Sequence, residues 1–93
     1  MADALARIGA DAVPSLVETL KDPDPEVRMY ATRSLAMMGP NAQSAVPALI
    51  EHLHDEDERV RRGSARALGQ IGPAAKSAVP SLIDLLKAEA KRQ

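Results

Sequence analysis

Apolar residues recur along the chain at intervals of three and four residues. Three stretches carry Val, Leu, Val or Ile, and Leu at positions i, i+3, i+4 and i+7, and they begin at Val13, Val46 and Val79. Two further stretches have a related helical spacing of i, i+4, i+8 and i+11, with Val27, Ala31, Leu35 and Met38 in one and Val60, Ser64, Leu68 and Ile71 in the other, where Ser64 is the one polar member. This period is typical of helices with one buried face. The pattern therefore predicts an all-α fold.

The pattern recurs because the sequence itself is repeated. Residues 25–57 align without a gap with residues 58–90, and 15 of the 33 positions are identical. A partial copy precedes them. Such repetition predicts an α-solenoid of about two and a half stacked helix pairs that share one core, because no single pair can bury its apolar face alone. We interpret residues 1–93 as one domain: a partial repeat over 1–24, a repeat over 25–57, and a repeat with a C-terminal helical extension over 58–93.

Each repeat predicts two helices, here called A and B. Helix A is expected to follow an Asp, a preferred N-cap, and to end at a Gly-Pro pair, which cannot continue a helix. These boundaries are Asp24 and Gly39-Pro40 in the middle repeat, and Asp57 and Gly72-Pro73 in the last. A glycine inside the last helix A, Gly69, predicts a close approach of helices at that position.

Helix B is predicted to have its own N-cap, with a proline in its first turn, where the missing N–H costs nothing. The caps are Asp11, Ser44 and Ser77, and the prolines are Pro14, Pro47 and Pro80. The loop before this cap is three residues shorter in the first copy than in the others. Helix A of the first copy is predicted to span only about Ala2 to Ile8.

Composition excludes several classes of site. The chain has no Cys, so it has no disulfide, thiolate metal site or Cys nucleophile. Tyr30 is the only aromatic residue and the net charge is -1, which argues against nucleic acid or an anionic membrane as a partner. With no signal peptide and no apolar run long enough to span a bilayer, the expected location is cytoplasmic.

The repeated motif resembles HEAT repeats. It reads D-x-D-x-x-V-R-x-x-A-x-x-x-L-x-x-x-G-P-x-A-x-x-A-V-P-x-L-I-x-x-L, and it looks like the phycobilisome-lyase type found in bacterial proteins. The resemblance implies a right-handed α-solenoid with helix A on the convex side and helix B on the concave side. It also implies a structural ladder of Asp and Arg between repeats, formed by Asp24, Arg28, Asp57 and Arg61.

Candidate catalytic and metal sites are weak in this sequence. His52 and His54 lie among acidic residues, but side chains two residues apart on a helix point about 200° apart and cannot easily meet one ion. The serines have no base held by a third group, so no nucleophile is identified. We therefore predict no catalytic residue, no metal and no cofactor. Four arginines form an alternative anion-binding patch in the last repeat: Arg59, Arg61, Arg62 and Arg66.

The function expected is a non-enzymatic protein interaction or scaffold module. The alternative is a fragment or accessory subunit of a bilin-lyase-like or other HEAT-repeat enzyme. Two surfaces could contact a partner. The outward positions of helix B are mildly acidic and predict a basic peptide or protein, with Glu18, Glu51, His52, Asp84 and Leu85 as contacts. The outward positions of helix A carry Met29, Arg33 and Met37, an adaptable contact surface.

The N-terminal end predicts self-association. Because helix A of the first copy is short, Val13 and Val17 are expected to lack cover, whereas charged residues extend the last helix B. An isologous contact would hide two open ends at once, so we predict a homodimer through the N-terminal end. The alternative is that the missing half-repeat was cut away with a longer parent chain.

Overall fold

The described part of the chain consists of helices joined by short turns. The computed structural model describes the backbone of residues 2–92 and the side chains of residues 11–91. Its α-helices are α1 (Ala2–Thr19), α2 (Pro25–Met38), α3 (Val46–His52), α4 (Glu58–Ile71) and α5 (Val79–Arg92), and 3-10 segments span Gly39–Ala45 and Gly72–Ala78. The described residues contain no strand, so the all-α prediction is confirmed. The molecule is a slab of 47 × 29 × 16 Å, and none of its described helices is long and apolar enough to cross a membrane.

The boundaries of helix A follow the predicted 33-residue period. The side chain of Asp24 accepts a hydrogen bond from the backbone N–H of Glu26 at 2.9 Å, and Asp57 accepts one from Arg59 at 2.8 Å. Both caps are as predicted. Gly39 and Gly72 end the two helices with φ of 59° and 81°, a backbone conformation that side chains with a Cβ disfavour.

The predicted serine caps of helix B are wrong. A 3-10 segment begins at each Gly-Pro pair and leads directly into helix B, so Ser44 and Ser77 lie within it. The N-cap position of α3 is Ala45, and no side chain caps the helix there. The preceding 3-10 turns run into the helix, which removes the need for a side-chain cap. Each 3-10 segment also contributes two buried alanines to the core: Ala42, Ala45, Ala75 and Ala78.

The first copy differs from the prediction in having one helix. The backbone continues from Ala2 to Thr19 as α1, with Asp11 and Pro14 inside it. Its loop is three residues shorter than those of the other copies, and Ala10 stands where they have a proline after the glycine. The chain therefore has no seven-residue stretch for a 3-10 segment and stays helical.

The core runs continuously through the repeats. Its largest fully buried aliphatic side chains are Val13, Leu20, Leu35, Leu49, Leu53, Val60, Leu68 and Ile71. All of them belong to the apolar positions that the spacing predicted. Leu16, Val17, Met38, Ile50 and Leu82 are partly buried against the same core.

The exposed apolar face lies at the opposite end from the one predicted. Val13 is only 1% exposed and Val17 packs against the core, so the expected lack of cover at the N-terminal helix is wrong. Instead, Val79, Ile83 and Leu86 of α5 are 48%, 46% and 69% exposed. In the preceding repeat, α4 packs against α3. The corresponding positions of α5 have no such cover among the described residues.

Helices α2 and α4 pack against each other more extensively than any other pair of described elements. The closest approach is at Gly63, where a Cβ atom would clash with Thr32 Oγ1 and would lie 2.9 Å from Thr32 Cβ. Thr32 is 1% exposed, and its hydroxyl donates to the carbonyl of Met29 at 2.7 Å. The close approach predicted at Gly69 is wrong, since a Cβ there would meet nothing within 4 Å.

We predict opposite effects for two glycine-to-alanine substitutions in α4. Gly63→Ala forces a clash with a buried, hydrogen-bonded side chain and lowers the free energy of unfolding by about 1–3 kcal/mol. Gly69→Ala adds a methyl group in open space and favours the helix, so it raises that free energy by about 0.5–1 kcal/mol. Urea denaturation of both variants measures this, and equal effects at the two positions would contradict the close packing at Gly63.

Candidate functional site

A buried ion pair joins the start of α2 to the turn that leads into α4. The Arg28 guanidinium donates from Nε and Nη2 to the two carboxylate oxygens of Asp55, each at 3.0 Å. Its Nη1 donates to the carbonyls of Asp22 and Pro23 at 2.8 and 3.0 Å. The side chains of Arg28 and Asp55 are 8% and 5% exposed. One arginine therefore holds both the turn before α2 and the turn between α3 and α4.

Arg61, the equivalent residue of the last repeat, holds its turn in the same way. Its Nη1 donates to the carbonyls of Asp55 and Glu56 at 2.8 and 3.1 Å. Its Nε lies 3.4 Å from a carboxylate oxygen of Glu89 in α5. The position that matches Asp55 one repeat later is Ala88, which has no carboxylate. The next residue of α5, Glu89, faces Arg61 instead.

The expected pairing of Arg28 and Arg61 with Asp24 and Asp57 is wrong. Those two aspartates use their carboxylates to cap α2 and α4. The carboxylate that pairs with Arg28 is that of Asp55, the first Asp of the D-x-D motif, and not that of the second. Its Oδ1 also accepts the backbone N–H of Asp57 at 2.9 Å, which fixes the turn. Both aspartates of the D-x-D motif recur, at 22–24 and at 55–57. This recurrence was the sequence signal that each aspartate has its own role, one in the turn and one as the helix cap.

The environment of Asp55 favours its ionised form. Desolvation by burial would raise its pKa, but hydrogen bonds from Arg28, from the Asp57 backbone N–H and from His52 outweigh it and hold the pKa of Asp55 below its usual value. The hydrogen bond to Asp55 likewise holds the pKa of Arg28 above its usual value despite burial. Both groups are therefore charged near neutral pH, and their link is structural.

His52 belongs to this link. Its Nδ1 lies 3.0 Å from Oδ2 of Asp55, and its side chain is 19% exposed. The described residues hold no group of three or more His, Cys, Asp or Glu side chains placed to bind a metal ion. The ring of His52 thus contributes to the turn before α4, although it was expected to contact a partner.

A groove with a volume of about 720 Å³ lies between α2 and α4. We call it the A-helix groove. Equivalent faces of two successive repeats form it, and the predicted contacts Met29, Arg33 and Met37 lie together there. Its lining residues are Met29, Thr32, Arg33, Ala36, Met37, Arg59, Arg62, Gly63, Arg66 and Gln70.

The four guanidinium groups of the groove differ in how they are held. Arg59 donates to both carboxylate oxygens of Asp57 at 3.2 Å, which lowers the pKa of Asp57. Arg62 pairs with Glu58 at 2.8 Å. Arg33 lies 5.7 Å from the centre of the Tyr30 ring, a cation–π contact. Arg66 is exposed and forms no ion pair or hydrogen bond through its side chain with any described residue.

The acidic positions of helix B lie apart from this groove. Glu18, Glu51 and Asp84 are exposed on α1, α3 and α5. Glu18 pairs with Lys21 at 3.4 Å. Leu85 is partly buried against the core, and it lines a smaller concavity of about 250 Å³ between α5 and the turn before α4, together with Asp84.

Sequence reasoning missed the groove as a unit. It placed Met29, Arg33 and Met37 on the outward face of one helix A and Arg62 and Arg66 on that of the next, with an anion-binding patch as an alternative role for the arginines. Only the close contact at Gly63 brings these two faces side by side. The glycine itself was the available signal, because Tyr30 occupies its position in the middle repeat.

Comparison with protein families agrees with the repeat pattern. The family model described as HEAT repeats matches residues 1–43 and 40–93, which together span the whole chain. No curated protein matches the chain.

We expect Arg28→Ala to lower the free energy of unfolding by about 3–5 kcal/mol, because it leaves the Asp55 carboxylate buried and unpaired. The control is Arg62→Ala, which breaks an exposed pair and costs about 0–1 kcal/mol. In a double-mutant cycle, Arg28→Ala with Asp55→Ala costs less than the sum of the single substitutions. Additive costs in chemical denaturation would show that the two side chains are not coupled.

The depressed pKa of Asp55 predicts acid sensitivity. A carboxylate with a folded pKa below its unfolded value, about 3.9, contributes stability that is fully present above that value and is lost as the pH falls through the folded pKa. Asp55→Asn removes this contribution. The stability difference between the wild-type protein and Asp55→Asn is therefore expected to narrow below about pH 4, as followed by thermal unfolding across a pH series. A constant difference down to strongly acidic pH would contradict the assignment.

Proposed function

Because the chain belongs to the HEAT-repeat family, we propose that it is a non-enzymatic protein–protein interaction module that binds its partner in the A-helix groove. The observation that carries the proposal is the groove itself. Equivalent positions of two successive repeats line one groove there, and stacked repeats in helical-repeat proteins build extended binding surfaces from such equivalent positions. Fold alone does not assign a function, whereas the residues that line this groove determine what it can bind.

The lining of the groove suits protein binding. Met37 is 83% exposed and Met29 is partly exposed, so an unbranched, polarizable surface is available to a partner's apolar side chain. The arginines surround this surface with hydrogen-bond donors. Methionine and arginine are both enriched at protein interfaces relative to the rest of protein surfaces.

The same lining argues against catalysis in the groove. Its polar side chains are four arginines, Gln70 and Thr32. Arginine stays protonated and cannot act as a general base, and the Thr32 hydroxyl is buried and already donates to a backbone carbonyl. A bound molecule would therefore meet hydrogen-bond donors and apolar contacts there, without a base or an activated nucleophile.

The more specific hypotheses remain predictions. If the repeats are of the phycobilisome-lyase type and the chain is part of a bilin-lyase-like enzyme, it should bind an open-chain tetrapyrrole and change that pigment's absorbance. A basic partner on Glu18, Glu51 and Asp84, a homodimer through the N-terminal end, and a bacterial, cytoplasmic setting likewise await measurement. The buried state of Val13 removes the exposed surface on which the homodimer prediction rested.

Selection of binding peptides from a displayed random library tests the proposal. We expect the selected peptides to lose affinity for Met37→Asp, which places a carboxylate on the floor of the groove. The matched control is Leu86→Asp, which likewise puts a carboxylate in place of an exposed apolar side chain, but on α5. Peptides that lose binding only to Leu86→Asp would show that the binding site lies on α5. Peptides insensitive to both changes would contradict binding in the A-helix groove.

A further inference from the structure

We propose that the A-helix groove takes an acidic segment of a partner protein, with carboxylates on Arg33 and Arg66 and an apolar side chain on Met29 and Met37. This inference rests on the proposed function and names the chemistry of the partner. It differs from the basic partner expected on helix B, because it uses the opposite set of helices.

The charge of the groove is strongly one-sided. Four of its ten lining residues are arginines, and none of the ten carries a carboxylate. The net charge of the chain, -1, conceals this local excess of positive charge. Clefts lined by one sign of charge concentrate ligands of the opposite sign and accelerate their association.

Two of the four guanidinium groups are open to a ligand. Asp57 and Glu58 already hold Arg59 and Arg62. Arg66 on α4 has no partner among the described residues, and Arg33 on α2 contacts only the face of the Tyr30 ring. The two open arginines belong to opposite walls of the groove. Guanidinium groups bind carboxylates in bidentate geometry, so this arrangement suits a chain with more than one acidic residue.

The floor of the groove favours a protein segment over a polyanion such as nucleic acid. Met29, Ala36 and Met37 supply apolar surface between the arginines. A phosphate backbone gains nothing from such surface, and stacking of bases needs aromatic side chains, of which the chain has one. A peptide that places a leucine or an aromatic residue between acidic residues would use both features.

The probe is a fluorescein-labelled peptide of about twelve residues in which Asp and Glu alternate with Leu, measured by fluorescence anisotropy with the full chain. Three peptides of equal length serve as references: one with Asn and Gln for the acids, one with Ser for Leu, and one with Lys for the acids. A single-stranded oligonucleotide serves as the polyanion. Sedimentation velocity of the chain alone reports binding by a second copy.

The test variant is Arg33→Glu with Arg66→Glu. Its control is Lys76→Glu with Lys87→Glu, which changes the net charge equally at two exposed lysines outside the groove. We expect the test variant to bind the acidic peptide about tenfold more weakly than the wild-type protein does, which corresponds to about 1.4 kcal/mol of binding free energy. The control variant should lose less than about twofold in affinity for the acidic peptide. The affinity of the wild-type protein for that peptide should fall as salt is added. If circular dichroism shows that the double variant is unfolded, the exposed Arg66→Gln replaces it.

Each other outcome overturns the inference in a recognisable way. Equal affinity for the acidic and amide peptides removes the role of the carboxylates, and tighter binding of the oligonucleotide identifies a nucleic-acid site. Preference for the lysine peptide points to the acidic residues of helix B. Self-association that the test variant abolishes makes a second copy the occupant. If peptides selected from the library still depend on Met37 but show no acidic preference, the proposed function stands and this inference alone fails.

Discussion

The direct packing of α2 on α4 is the constraint on which the rest of the structure depends. It brings equivalent helices of two repeats into contact, and this contact both closes the core and forms the groove on the outer face. Such packing is possible because Gly63 has no side chain where Thr32 projects from α2. Protein interiors are close-packed, so a single added methyl group at this point must displace a neighbour. The groove and the core therefore share one structural requirement.

The arginine of the Val-Arg pair provides a second, directional constraint. Hydrophobic burial is non-directional and could tolerate a sliding of one repeat over the next. Arg28 limits that freedom, since it binds two carbonyls of the turn before α2 and both carboxylate oxygens of Asp55 in the turn before α4. Buried ion pairs add little to stability relative to apolar packing, but they can specify one arrangement. In this chain the pair fixes the turn that leads into α4 against the start of α2.

The net charge of the chain and the local charge of the A-helix groove favour different partners. The net charge of -1 suggests an electrostatically neutral surface. The fold separates the charges: the arginines of α2 and α4 line one concavity, while Glu18, Glu51 and Asp84 lie on the other set of helices. Because screening limits electrostatic interactions to about 10 Å in ordinary buffers, a partner in the groove responds to the local excess and not to the sum.

The sequence by itself determined the helices, their 33-residue period and most of the core. Periodicity and end signals such as Asp24 and Gly39 act within a few residues, so they can be read along the chain. Tertiary structure decided the rest. Three features depend on residues that lie far apart in sequence. They are the choice of carboxylate that pairs with Arg28, the cover over Val13 but not Ile83, and the placement of Met37 and Arg66 in one groove. In one case the sequence pattern was locally misleading: a three-residue deletion merged two expected helices into α1, because a shorter loop could not hold the 3-10 segment that separates them elsewhere.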